Sequence, residues 1–217
     1  MGLHLRALHI KKSYNSEPVL IECSFTFDRS GIFVLTGPNG SGKSTFLRIC
    51  ALLEEPDSGE IVYLSGDEAT EKDLELRRRT TLVLPKTGIF NTSVFNNAAY
   101  GLKIRGMEKS EREVKTAAAL KAAGLLHKAR QNALTLSSGE AQRLGIARAM
   151  VLEPEVFFLD EPTASVDRKN TSVIEELIVR FQEQSSALVV MSTHDREQVR
   201  RLAGKRLAME DGGVIPA

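Results

Sequence analysis

With 217 residues, 42% of them hydrophobic and 26% charged, the chain has the composition of a soluble globular protein with one sizeable core and room for a smaller attached lobe. A formal net charge of +1 leaves no surplus of Lys and Arg to displace counterions, so no nucleic-acid partner is expected. No apolar run approaches the ~20 residues that cross a bilayer, and the opening MGLHLRALHIKKSY lacks a secretory pattern, which makes the cytoplasm the expected compartment. Cys23 and Cys50 lie in apolar stretches without CxxC spacing and are expected as buried, unreactive free thiols.

In chain order, residues 3–10 and 19–27 alternate apolar with polar side chains, predicting an antiparallel strand pair that turns near YNSEP. GIFVL at 31–35 is a continuous apolar run entered by glycine, the pattern of a strand buried on both faces. GPNGSGKST at 37–45 follows at once, with a helix expected to begin near Thr45. PDSGEIVYLSG at 56–66 reads as turn, strand, turn, and TTLVLP at 80–85 as a short strand stopped by proline. From about 90 to 150 helix formers take over, EKSEREVKTAAALKAAGLL being the longest run, as in an inserted helical lobe. VFFLD at 156–160 and ALVVMSTH at 187–194 are again buried-strand patterns, joined by a helix on which Val173, Ile174, Leu177, Ile178 and Phe181 share one face. Strand, helix, strand implies a parallel sheet with right-handed crossovers. The expectation is a single α/β domain with a core at about 1–88 and 151–217, an N-terminal antiparallel β subdomain, and a helical subdomain at about 89–150.

The chemistry starts at the glycine loop. GPNGSGKST fits GxxxxGK[ST] through Gly37, Gly42, Lys43 and Ser44, between a predicted buried strand and a helix. Gly40 and Gly42 let backbone amides approach phosphates, Lys43 can bridge β- and γ-phosphate oxygens, and the Ser44 hydroxyl can ligate Mg²⁺. Asn39, Ser41 and Thr45 complete the set of loop residues expected at the phosphates. Such a loop calls for an acidic metal partner at the end of a neighbouring strand, and VFFLDEP supplies Asp160 there. Glu161 is the candidate to polarise the attacking water; ahead of Pro162 it also reads as a helix-start acid. His194 ends a core strand, where a ring N–H could reach a γ-phosphate, whereas His4, His9 and His127 read as packed or solvated. Tyr14 reads either as a nucleobase stack or as packing for the strand pair. LSSGEAQRLGIARAM at 136–150 opens with small residues and becomes helix, so its first turn offers orphan N–H groups and a positive dipole end; Ser137 with Glu140 also fits a capping box.

Taken together these motifs resemble the nucleotide-binding subunit of ABC transporters over essentially the whole length: Tyr14, the P-loop 37–45, the signature LSSGE at 136–140, the Walker B strand VFFLDE, the D-loop ASVD at 164–167 and the switch His194. The resemblance implies a RecA-like P-loop NTPase core and an ATPase that uses ATP and Mg²⁺, with Glu161, His194 and Lys43 catalytic and Ser44 and Asp160 on the metal. It implies a head-to-tail dimer of two copies in which Ser137 and the Gly139 amide of one meet the γ-phosphate held by the other, with Asp167 coupling the two sites. It implies a transmembrane permease subunit, a solute-binding protein, and a place on the cytoplasmic face of the membrane. The stretch IFNTSVFNNAAYGLKIRG at 89–106 would dock the permease, with Phe90, Val94 and Phe95 either lining that groove or forming the lobe core. The length, AAYGLKIRG and SSGEAQR look most like importers of small oxyanions such as tungstate. Two other readings stay open: a non-transport ABC-type switch, which would ordinarily carry a coiled-coil insertion or a second cassette, and a nucleotide-binding scaffold with weakened hydrolysis.

The sequence departs from the family pattern in two places. Ser138 and Glu140 stand where LSGGQ has glycine and glutamine. After TTLVL the family places a glutamine that touches metal and water; here stands Pro85, with no glutamine from Phe46 to Arg130. Proline offers neither a side-chain carbonyl nor an N–H, so water is expected in the vacant metal position, with hydrolysis or lobe coupling altered.

Overall fold

The computed structural model describes residues 2–27, 30–164, 166–202 and 204–217. Strands β1 (Leu3–Tyr14) and β2 (Glu17–Phe27) form the expected antiparallel pair. They turn through Asn15 and Ser16, at φ 51° and 67°; two left-handed residues in succession match the twist of a tight hairpin. Next come β3 (Gly31–Thr36), α1 (Lys43–Cys50), β4 (Ser58–Ser65), β5 (Glu68–Ala69), α2 (Leu74–Arg79) and β6 (Thr80–Val83). The helical stretch holds α3 (Val94–Ile104), α4 (Lys109–Ala122) and α5 (Ser138–Met150). The chain closes with β7 (Val156–Leu159), α6 (Arg168–Ser185), β8 (Leu188–Thr193), α7 (Arg196–Arg201), β9 (Lys205–Glu210) and β10 (Gly213–Pro216).

Two sheets result. One is antiparallel, in the order β2-β1-β4-β5; the other runs β10-β9-β3-β8-β7-β6 and is parallel from β9 to β6, with β10 pairing antiparallel at its edge. Alternation along the central strands explains the layering. Phe33, Leu35 and Phe158 face a core shared with the antiparallel sheet and α1, whereas Val34, Phe157 and Leu159 face a second core built with α6. A strand buried on both faces reads as an unbroken apolar run, as GIFVL and VFFLD do. In the first core Phe27 meets Phe33 edge to face, ring centroids 5.1 Å apart. On α6, Ile174, Leu177, Ile178 and Phe181 are buried as the periodicity requires, and Val173 is only half-buried.

Helices α3, α4 and α5 pack on one another, and the second core runs continuously from beneath the sheet to Leu120 of α4 and Leu144 and Ile146 of α5. Arg143 ties α5 to the end of α4 by donating to the Ala123 carbonyl at 2.7 Å. Both cysteines are free and buried; burial pushes the Cys23 thiol up to about 11 and raises Cys50 as well, so neither is a ready thiolate. Among the described residues no helix is long and apolar enough to cross a membrane.

Candidate functional site

Neighbouring strands bring the motifs to one edge. Thr36 of β3 lies opposite Thr193 of β8, and Leu159 of β7 lies opposite Met191, so the three strands end side by side. The glycine loop leaves β3, Asp160 and Glu161 leave β7, and His194 leaves β8 at that edge, the outlet where open α/β sheets place their ligands.

Helix α1 begins after Gly42, at φ 100°, with no side chain capping its first turn. Its orphan N–H groups are therefore open to an anion. A Cβ on Gly37 would lie 2.9 Å from both Ser41 Oγ and the Met209 carbonyl, which restricts that corner to glycine. Lys43 is only 5% exposed; its ammonium donates at 2.9 Å to the Gly37 and Pro38 carbonyls and lies 3.9 Å from Glu161 Oε1. Ser41 Oγ is buried without a hydrogen-bond partner, while Asn39 and Gly40 are exposed at the loop tip. Ser44 is half-buried, and the buried Thr45 accepts from Arg48 at 3.4 Å. A loop of orphan amides with an unsatisfied buried hydroxyl and a pinned ammonium is built for a phosphate chain.

Opposite it, Asp160 is 2% exposed, and its Oδ1 accepts from Ser192 Oγ at 2.7 Å. The same Ser192 oxygen accepts the Glu161 N–H at 2.9 Å. Glu161 sits at φ 43°, a conformation few side-chain-bearing residues adopt. Its Oε2 is 3.4 Å from Nδ1 of His194, a contact that is an ion pair when the imidazole is protonated. Helix α6 does not begin until Arg168, capped by Asp167, so Glu161 does not serve as a helix-start acid. Mg²⁺ takes few carboxylates and shares its remaining positions with water and phosphate oxygens. The oxygen donors of Asp160 and Ser44 fit that chemistry, and the described residues hold no cluster of three His, Cys, Asp or Glu that would suit another metal.

Tyr14 ends β1 and is 40% exposed. Its hydroxyl is bonded to the Glu54 carboxylate and accepts from Arg48 at 3.3 Å, and the Lys12 ammonium lies 5.7 Å from its ring centroid.

Ser137 and Gly139 open α5. Among the described residues neither makes a hydrogen bond to the glycine loop. Ser137 is the N-cap of α5: its N–H donates to Glu140 Oε2 at 3.1 Å and its Oγ accepts from the Glu140 N–H at 3.4 Å, the predicted capping box. Lys128, 2.6 Å from Glu140, holds that carboxyl below its ordinary range. A Cβ on Gly139 would fall 2.4 Å from Asn170 Cγ, so glycine there lets the cap of α6 press against the first turn of α5. Asn170 in turn bonds both oxygens of Asp167, at 2.9 and 2.7 Å. Ser165, inside the ASVD segment, lies outside the described residues.

Pro85 is exposed in the loop after β6. Two residues on, Thr87 donates to Gln142 Oε1 of α5 at 3.0 Å, and a Cβ on Gly145 would lie 2.1 Å from Thr87 Cγ2. The loop is thus fastened to α5 by Thr87, and a cavity of about 250 Å³ beside it is lined by Pro85, Thr87, Ser138, Gln142 and Pro162.

Several of these partners escaped the sequence reading. Ser192 was legible as a lone polar residue inside the apolar run LVVMS, a position that needs a partner when buried. Thr87, Asn170 and Gln198 carry no comparable signal, because each meets its partner only across elements distant in sequence.

Known proteins share this fold. The family profile described as ABC transporter matches residues 20–164. The chain is 35% identical over 212 residues to the tungstate uptake system ATP-binding protein TupC of Peptoclostridium acidaminophilum, covering 98% of this chain and 97% of that one. It is 36% identical over 220 residues to the phosphate import ATP-binding protein PstB 2 of Natronomonas pharaonis, covering 96% and 77%. Among solved structures, cbiO1 of Clostridium perfringens, part of the cbiONQ ABC transporter complex, superposes with a TM-score of 0.86 at 27% identity over 99% of this chain and 88% of that one. The dimeric ATP-binding cassette MJ0796, in a post-hydrolysis state bound to ADP and Pi, gives 0.84 at 26% identity over 97% and 96%. With the P-loop, the Asp160–Glu161 strand end and His194 converging on one edge of a RecA-like sheet, and with relatives matched along nearly its full length, this chain belongs to the ABC transporter family and is one of its ATPases.

Proposed function

We propose that the chain powers import of a small solute, working as a head-to-tail pair of copies whose two ATP pockets each join the P-loop of one copy to the signature turn of the other. The observation that carries this reading is that the chain has two glycine-containing helix starts, the uncapped α1 in the strand-end cluster and α5 capped by Ser137, with no hydrogen bond among the described residues from Ser137 to the glycine loop of its own copy. Two copies facing each other can share two triphosphates, each between the α1 start of one and the α5 start of the other. Lys43 would leave the Gly37 and Pro38 carbonyls for β- and γ-phosphate oxygens, Ser44 and Asp160 would hold Mg²⁺, and Tyr14 would meet the base. The metal supplies neutralisation of phosphate charge. Glu161 would orient the attacking water, His194 would contact the γ-phosphate, and Ser137 and the Gly139 amide would close over it from the other copy, with Asp167 at the seam. Loss of phosphate then removes the shared anion and favours opening.

A permease would dock on the helical side, the assembly sitting on the cytoplasmic face of a membrane with a solute-binding protein on the other. Phe90 and Tyr100, 42% and 45% exposed, line a cavity of about 540 Å³ there with Phe95, Lys103 and Arg112. Val94 is fully buried and belongs to the lobe core, not the groove. A small oxyanion is the favoured solute class because the relatives named for tungstate and phosphate are matched over 97% and 77% of their own lengths, against 65% and 59% for those named for methionine import. The shared pocket is tested by specific ATPase activity against protein concentration. It is expected to rise with concentration and then plateau; a flat profile down to a monodisperse monomer would overturn the reading.

Pro85→Gln tests the altered loop. Restoring the amide is expected to change the ATPase rate by a few-fold and to shift its Mg²⁺ dependence, because the new side chain would enter the cavity beside Thr87 and Gln142. An unchanged rate and metal profile would show that this position plays no part in turnover.

A further inference from the structure

Behind Glu161 and His194 lies a polar cluster that runs from buried Gln198 and Glu175 out to the half-exposed Arg201 and Asp195. Gln198 on α7 is fully buried, and its Nε2 donates at 3.0 Å to Thr163 Oγ1 and at 3.0 Å to Glu175 Oε1. Glu175 is 7% exposed on the otherwise apolar inner face of α6, next to Ile174 and Leu177. Arg201 closes on it with Nε 2.9 Å from Oε2 and a terminal nitrogen 2.9 Å from Oε1, and also reaches Asp195 Oδ2 at 3.1 Å.

Stability does not account for this arrangement. Burying the Glu175 carboxylate and the Gln198 amide carries a desolvation cost that their pairing, in part with the 44% exposed Arg201, only offsets, and the rest of this face of α6 is apolar. Its two ends are informative. Thr163 stands two residues after Glu161, in the turn where the Ala164 N–H donates to the Glu161 carbonyl at 3.2 Å. Asp195 follows His194, and its N–H donates to Thr193 Oγ1 at 3.0 Å. Glu161 at φ 43° is in a strained conformation that persists only when its surroundings hold it. The turn after Glu161 and the turn at His194 therefore share one anchor. Glu161, Thr163, His194, Asp195 and Arg201 also wall a single cavity of about 730 Å³.

We propose that Gln198, Glu175 and Arg201 are positioning residues that set the Glu161–His194 separation, so that the water oriented by one and the γ-phosphate contacted by the other meet in reacting geometry. This rests on the reading that Glu161 and His194 act on ATP. Thr163 transmits the constraint to the first, Asp195 to the second.

The test is steady-state ATPase kinetics of the full chain with Mg²⁺ and ATP, using Gln198→Met, which is near-isosteric and donates nothing, and Thr163→Val, which removes the receiving hydroxyl from a half-buried turn. Each is expected to lower kcat by about five- to tenfold while KM for ATP stays within about twofold, the split of an interaction that matters in the transition state and not in binding. The double variant should be no slower than the slower single one, because both changes cut the same bond. An unchanged kcat in Thr163→Val, or losses that multiply in the double variant, would overturn the proposal. If Gln198→Met does not fold, Thr163→Val and Arg201→Gln carry the same test. Glu161→Gln is measured alongside. Unchanged turnover there would sink the catalytic reading itself, whereas loss of turnover there with full kcat in Thr163→Val would sink only the positioning network.

Discussion

Glu161→Gln should reduce steady-state ATP hydrolysis by about 10²- to 10⁴-fold, the usual effect of removing a positioned general base, and should leave ATP affinity within a few-fold. The amide keeps the size and reach of the carboxylate and can still meet His194 Nδ1, now 3.4 Å from Oε2. Its loss of charge weakens the approach of Lys43, but at 3.9 Å that contact is secondary to the two carbonyls the ammonium already holds at 2.9 Å. Folding should be little affected, since the restraints on the backbone at φ 43°, the Ser192 hydroxyl among them, do not use the side chain. Binding without cleavage should then accumulate an ATP-loaded dimer, measured by light scattering after gel filtration with the retained nucleotide counted. Unimpaired turnover would reduce Glu161 to a turn residue.

How much of this was legible in the sequence varied with the range of the interactions. The buried strands were readable because two-sided burial writes itself as GIFVL and VFFLD, and the loop between β3 and α1 because close backbone approach demands glycine. Helix α2, the two-residue β5 and the β9–β10 edge hairpin were not foreseen. Strand β9 buries only Leu207, Ala208 and Met209 between charged ends, too few residues for a period to show. Ser137 was readable as a cap because its partner Glu140 is three residues away. The pressure of Asn170 on Gly139, the fastening of Thr87 to Gln142 and the anchor at Gln198 were not, because each depends on how α5, α6 and α7 pack. Tyr14 was read as a nucleobase stack or as packing for the strand pair; its hydroxyl engages Glu54 and Arg48, a polar cluster that no local pattern announces. The proline at 85 announced a missing amide but not the threonine that fastens the loop in its place.

The proposed shared pocket would make a demand that no single copy can satisfy, and a mixing experiment exposes it. In the Glu161→Gln background, a copy carrying Lys43→Met should trap no ATP, and neither should a copy carrying Ser137→Asp. Aspartate is as good an N-cap as serine, so α5 keeps its start and its capping role survives. What changes is the sign of the charge offered to an incoming γ-phosphate, from a neutral hydroxyl at a positive helix end to a carboxylate. When the two variants are mixed in equal amounts, a mixed pair assembles one pocket with both defects and one with neither. Random pairing places half the molecules in mixed pairs, so trapped nucleotide should recover to about a quarter of the level of the Glu161→Gln parent. If each P-loop were served by the α5 of its own chain, mixing would restore nothing, because every pocket would keep the defect of the chain that built it. Recovery at that level would also separate the two roles of Ser137: one is met within the chain by the Glu140 N–H at 3.4 Å, the other across the pair by a phosphate.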